Sequence, residues 1–167
     1  MNNRLLIMSC SATKSSHRLP LPAVERYTGP VWGTWRAVDP AQNLAHVTVL
    51  SAEHGWIDGR EPIVNYNRKL DHVRSRELIA RGVTAETVAM LAEATGYGQR
   101  PFSEVCIVGG HYYQAVAQEL LILAALQMYP SPFTTGFRIV EICDQVGYMR
   151  QKLRGWLQAG IEQQVAA

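Results

Sequence analysis

Three short apolar runs punctuate the chain, and each hands over to small or polar residues: RLLIMS from Arg4, HVTVLS from His46 and EVCIVG from Glu104. Continuous Val, Ile and Leu runs of this length suit strands covered on both faces, as in a parallel sheet. FRIVEI (137–142) is a fourth strand. Helical spacing fills the intervals. PAVERYTGPVWGTWRAV (22–38) is helical in part, with a break forced at Gly29-Pro30. NRKLDHVRSRELIARG (67–82) places Leu70, Val73, Leu78 and Ile79 on one side and stops at a glycine. Thr84 caps a further helix, but Thr87 stands where a capping box needs Glu or Gln. HYYQAVAQELLILAALQ (111–127) is the clearest helix, and DQVGYMRQKLRGWL (144–157) closes the pattern with Asp144 as its cap. The order β-α-β-α-α-β-α-β-α predicts a single α/β domain over 1–160, with a mostly parallel sheet flanked by helices. The tail 161–167 is expected to fray.

In open α/β sheets ligands bind outside the carboxyl ends of the strands. Cys10-Ser11-Ala12-Thr13-Lys14 follows the first strand, Ser51-Ala52-Glu53-His54-Gly55-Trp56 the second, and Gly109-Gly110-His111-Tyr112-Tyr113 the third. These segments are far apart in sequence, yet a parallel sheet brings all three to one edge. Their convergence predicts a site.

Composition narrows the setting. The 167 residues are 47% apolar and 18% charged, which describes one folded domain with a sizeable core. Net charge is +2, from 16 basic and 14 acidic side chains, too near balance to demand a polyanion partner. Cys10, Cys106 and Cys143 form no CxxC pair and no zinc spacing, so a reduced, cytoplasmic setting is the simplest reading. No leader of secretory type and no membrane-length apolar run is read, and no metal or redox cofactor is implied.

Each candidate residue has a plain reading and a chemical one. Lys14 is a solvated loop lysine, an anion anchor, or a nucleophile if burial or the nearby His17 and Arg18 favour its neutral amine. The N–H groups of the 11–16 turn can form an anion-binding nest. Cys10 is a structural thiol or, with a histidine beside it, a catalytic one. Ser11 is a turn former or a phosphate ligand. His54 is a surface histidine or an acid/base near neutral pH, and Gly55 supplies a positive φ or a close backbone approach. Gly110 and His111 open a helix, a geometry that favours anions. Of Tyr112 and Tyr113, one faces the core and the other is free to stack on a base. Tyr27, Gly29 and Arg36 mark a helix break followed by a cation that clamps a phosphate or is solvated. Neither a dinucleotide fingerprint nor a P-loop is present.

Taken together, SCSATK…SHRLPLPAVERYTG, VLSAEHGWI…IVNY and GGHYYQAV resemble the YaaA-type superfamily. That family includes a peroxide-stress protein, small phage and bacterial proteins of unassigned function, and the tRNA-modifying domain of archaeosine synthase. The resemblance runs in order from Arg4 to Leu120. It is most specific at Leu50-Ser51-Ala52-Glu53-His54-Gly55 with Tyr66 downstream. Trp56 replaces a commoner aliphatic residue, and the Asp58-Gly59-Arg60 turn lacks the usual proline.

The resemblance implies a strand-end site for a nucleotide, or for a base within DNA or RNA. It implies an enzyme acting on a modified base or its glycosidic bond. Lys14, His54 and Cys10 would be the catalytic candidates. Ser11, Tyr27, Arg36, Ser51, Gly55, Tyr66, Gly110, His111, Tyr112 and Tyr113 would bind the substrate. The alternatives are a non-enzymatic DNA- or RNA-binding module of stress-response type and a nucleotide sensor.

Overall fold

A computed structural model describes residues 3–165 of the chain, with side chains to 162. The strands are β1 (Arg4–Ser9), β2 (Leu21–Pro22), β3 (His46–Ser51), β4 (Gly55–Asp58), β5 (Pro62–Ile63), β6 (Phe102–Val108) and β7 (Phe133–Ile142). The helices are α1 (Ala23–Arg26), α2 (Pro30–Val38), α3 (His72–Arg81), α4 (Ala85–Ala94), α5 (His111–Gln127) and α6 (Val146–Val165). Five strands form one sheet in the order β4-β3-β1-β6-β7. All its pairings are parallel except β3 with β4.

The strand period of two divides the core. Leu6, Met8, Val47, Val49, Cys106 and Val108 face the layer that contains Trp32 and Trp35 of α2 and Met149, Leu153 and Trp156 of α6. Leu5, Ile7, Leu50, Val105 and Ile107 face Leu78 of α3, Leu91 of α4 and Val116, Leu120 and Leu121 of α5. The result is three layers with helices on both faces, which is why the inner strands read as continuous apolar runs.

β1 is the central strand, with β3 on one side and β6 on the other. The chain leaves β1 over one face and returns to β6 over the other, so the topology switches direction between β1 and β6. A crevice opens at the carboxyl ends of strands where this happens. Gln114 fixes α5 there. Its buried amide Nε2 donates to the carbonyls of Ile107, Gly109 and Ile142 at 3.0, 3.2 and 3.2 Å, tying the start of α5 to the ends of β6 and β7.

Several expectations needed revision. β4, an antiparallel edge strand, and the short β2–β5 ribbon were not predicted. β6 and β7 begin earlier than the apolar runs do, and their pairing shifts register between Phe102 and Glu104. α3 starts later than expected, at His72, because Asp71 accepts the Arg74 N–H at 2.8 Å and caps it. Thr84 caps α4 alone, and Thr87 turns its hydroxyl to the Trp56 carbonyl instead. α6 runs on to Val165, so the segment expected to fray is helical as far as it is described. Residues 166 and 167 lie outside the described residues.

Candidate functional site

The first loop of the site is held in an extended path. Lys14 pairs with Tyr27 in an antiparallel bridge. The Ser15 N–H donates to the Arg26 carbonyl at 2.8 Å, and the Thr28 N–H to the Thr13 carbonyl at 3.1 Å. Fully buried Arg26 reinforces this path by donating to the carbonyls of Ser15, His17, Leu19 and Ile63. Within the 11–16 turn, where an anion nest was expected, the Thr13 N–H is given to the Ser11 hydroxyl and the Ser15 N–H to the Arg26 carbonyl.

The second loop, 51–55, hangs from three anchors. Ser51 Oγ accepts the N–H groups of Glu53 and His54 at 3.2 and 3.1 Å. Arg74 donates to the carbonyls of Ala52 and Glu53, and Arg81 to that of His54. Gly55 sits at φ +81°, and a Cβ there would lie 1.9 Å from Arg81 Nη2. The positive φ is the reason for a glycine here, and the close neighbour is the Arg81 side chain rather than backbone. Two of the basic residues on α3 thus shape a loop and do not face a ligand.

Tyr66 links the two loops. Its hydroxyl is 2.8 Å from Ser51 Oγ and 2.8 Å from the Tyr27 hydroxyl. The two lone pairs of Ser51 are taken by backbone N–H groups, so its proton points to Tyr66. Tyr66 then donates onward to Tyr27. Burial drives both phenols away from ionisation, and Tyr27 is pushed up to about 12. The bond between them works in opposite senses, favouring ionised Tyr27 and disfavouring ionised Tyr66, as expected for acceptor and donor.

Lys14 and His54 both meet the Tyr66 ring. The Lys14 ammonium lies 4.4 Å from the ring centroid and 5.9 Å from that of Tyr27. A cation over an aromatic face is attracted by the ring quadrupole. Among the described residues it pairs with no carboxylate. His54 meets the same ring edge-on, with centroids 5.3 Å apart. Its Nε2 is buried without a hydrogen-bond partner. Burial, more than the nearby carboxylates of Glu53 and Glu61 that oppose it, lowers its pKa and favours the neutral ring.

Beside this group opens a cleft of about 430 Å³ lined by Ala12, Lys14, Asn65, Tyr66 and Asn67. On the β1–β6 side, Cys10 Sγ is 2.9 Å from the Tyr113 hydroxyl. Burial raises the Tyr113 pKa, and a charge on Cys10 would raise it further. Cys10 acts in the same sense on Tyr66 and Tyr27, so the thiol and the three phenols form one electrostatic neighbourhood.

The structure thus gathers Cys10, Lys14, Tyr27, Ser51, His54, Tyr66 and Tyr113. Ser11 stands at the loop's near end, with its hydroxyl 3.2 Å from that of Thr13. Gly110 begins α5 without a side-chain cap. His111 is exposed, and its Nδ1 lies 3.7 Å from Cys143 Sγ at the end of β7, a pairing the sequence did not suggest. Tyr112 is 47% exposed, which makes it the free tyrosine of its pair. Arg36 is the exception. Its Nη1 donates to the carbonyls of Val24 and Tyr27 at 3.0 Å each, so it closes α1 and does not clamp a ligand.

Asn65 and Asn67, which flank Tyr66 in the cleft, were missed, although the NYN run that contains them is visible in the sequence. No group of three or more metal-ligating side chains occurs among the described residues. Among the described residues no helix is long and apolar enough to cross a membrane. No protein-family model, curated protein or solved structure matches the chain.

Proposed function

We propose that this α/β domain is a YaaA-type protein that binds a nucleotide, or a base within nucleic acid, at the carboxyl edge of its sheet. As an enzyme it acts on a modified base or on the glycosidic bond. The observation that carries this reading is Lys14: a cation held on a tyrosine face, beside an open cleft, with no carboxylate among the described residues to neutralise it. Such a charge is complementary to an anionic ligand. The uncapped start of α5 adds free N–H donors at the same edge.

The neighbouring groups have distinct roles in this reading. His54, kept neutral by burial, is the acid/base candidate. The Ser51–Tyr66–Tyr27 chain fixes the ring against which Lys14 rests. Cys10, hydrogen-bonded to Tyr113, orients that tyrosine. Lys14 serves as anion anchor or as nucleophile, and substitution separates these roles. A guanidinium can replace an anchor, but it stays protonated and cannot attack.

The test is to incubate the protein with nucleosides, nucleotides and oligonucleotides and to follow binding by calorimetry and released base by mass spectrometry. The expected result is nucleotide binding with release or alteration of the base, lost in Lys14→Ala. Salt-sensitive binding without turnover would assign a binding module instead. If no nucleotide or oligonucleotide binds, the reading is wrong.

A further inference from the structure

Where the 10–14 loop leaves β1, at Cys10 and Ser11, lies another cavity, of about 180 Å³. Met8, Val31, Trp32, Val146 and Met149 give it apolar walls, and Ser11 stands at its edge. It sits at the end of β1, between the first turns of α2 and α6. Its size is informative. A dry apolar cavity of about 150 Å³ takes a benzene ring, so this one accepts a planar ring. Its walls suit a flat, polarisable guest. Trp32 is pinned by its Nε1, which donates to the Ser9 carbonyl at 3.1 Å, and by stacking on Tyr27 with centroids 5.4 Å apart. The two methionines offer thioethers that adapt to a ring.

The polar groups at the rim are donors. α2 begins at Gly29-Pro30 with no side-chain cap. The first N–H groups of a helix have no partner within it, so those of Val31 and Trp32 are available beside the cavity. Gly29 also brings this end close to the loop, since a Cβ there would lie 2.3 Å from Ser11 Oγ. An apolar slot rimmed by donors is complementary to a planar ring that carries acceptors. The slot and the Lys14 cleft share one loop. Ser11 lines the first and Lys14 the second, and three residues of chain span at most about 11 Å.

We infer that, in the ligand proposed above, the phosphate lies in the Lys14 cleft and the base enters the slot formed by Met8, Val31, Trp32, Val146 and Met149. The inference rests on the nucleotide reading of the Lys14 site, with Lys14 as the anion anchor, and assigns its base-recognition pocket. The base is held by burial and by the start of α2, and not by stacking on the exposed ring of Tyr112.

Val146 is the place to test this, because it lines the slot yet is 50% exposed at the start of α6. Val146→Trp fills the mouth without disturbing the core, and a thermal melt confirms folding. Tyr148→Ala, at an exposed position on the same first turn of α6, and Tyr112→Ala serve as controls. The probes are nucleoside monophosphates and inorganic pyrophosphate, titrated calorimetrically. The expected result is at least tenfold weaker nucleotide binding by Val146→Trp, with pyrophosphate affinity unchanged. Tyr148→Ala and Tyr112→Ala should bind nucleotide nearly as the parent does. Unchanged nucleotide affinity in Val146→Trp, or a large loss in Tyr112→Ala, would overturn the base pocket and leave the Lys14 reading standing. Failure of the parent protein to bind any nucleotide would overturn both.

Discussion

A cation stands at each end of the central strand, and the two are treated in opposite ways. Arg4 begins β1 and is 2% exposed. Its guanidinium lies 3.5 Å from the centroid of the Trp156 ring, donates to Glu104 at 3.1 Å and donates to the Trp156 carbonyl at 2.6 Å. Trp156 and Arg138 also donate to Glu104, so this carboxylate is surrounded by donors. Lys14, a few residues beyond the other end of β1, rests on a ring as well, but among the described residues it meets no carboxylate, and it faces a cleft. The amino edge spends its charge on holding α6 and β7 to the sheet. The carboxyl edge leaves its charge unspent. A buried pair is costly to break, whereas a half-exposed lysine contributes little to stability. The contrast separates a residue kept for folding from one available to a ligand.

The sharpest break in the comparison is at Glu104. Glu104→Ala leaves Arg4 buried without its counter-ion and is expected to destabilise the protein by about 3–5 kcal/mol. Denaturant unfolding measures this, and nucleotide affinity of the folded fraction should not change. A loss under 1 kcal/mol would mean that the amino edge is not the structural end.

Gly55→Ala is next, at about 1–3 kcal/mol, because an alanine at φ +81° is strained and its Cβ meets Arg81. This variant should also displace His54 and Ser51, so ligand affinity falls together with the melting temperature. A neutral result would show that the 51–55 loop can relax around Arg81.

Tyr66→Phe tests the hydroxyl chain. It removes two hydrogen bonds and leaves Ser51 and Tyr27 facing a gap, for an expected loss of about 1–2 kcal/mol. The ring under Lys14 remains, so the ammonium stays in place and anion binding persists at reduced strength. Abolition of binding would instead give the Tyr66 hydroxyl a direct contact with the ligand.

The smallest effect is a pH slope. His54 has a lowered pKa in the folded protein, chiefly through burial. The unfolded chain therefore takes up a proton first on acidification. The contribution is complete above the unfolded value of about 6.5 and is lost as pH falls below it. His54→Gln should flatten the fall in stability as pH drops below about 6.5. An identical slope in both proteins would contradict a buried neutral ring.

The fold was legible where one signal sufficed. The runs at Arg4–Ser9 and His46–Ser51 coincide with the observed strands, because burial on both faces leaves an unbroken apolar run, and the segment His111–Gln127 is too long for anything but a helix. β4 was hidden because Gly55–Asp58 is short and runs into a Gly-Arg turn, which reads as loop until β3 is there to pair with it. The start of β7 was hidden by Gly136, whose φ of +72° bends the strand. The convergence of three loops followed from strand order alone. Their internal wiring did not. The partner of Tyr27 is 39 residues away, and Arg36, Arg74 and Arg81 look like solvated charges until the carbonyls they bind are located. Tyr66 entered only through the family resemblance, and no local pattern marks Asn65 and Asn67 as cleft residues.

The most direct measurement is a paired one on Lys14→Ala and Lys14→Arg: thermal unfolding of each, with calorimetric titration of a nucleoside monophosphate. Both variants are expected to keep a stability within about 1 kcal/mol of the parent. Lys14→Ala should lose nucleotide affinity by tenfold or more, and Lys14→Arg should recover binding. Unchanged affinity in Lys14→Ala would make Lys14 an ordinary solvated lysine and remove the basis for a ligand site at the carboxyl edge.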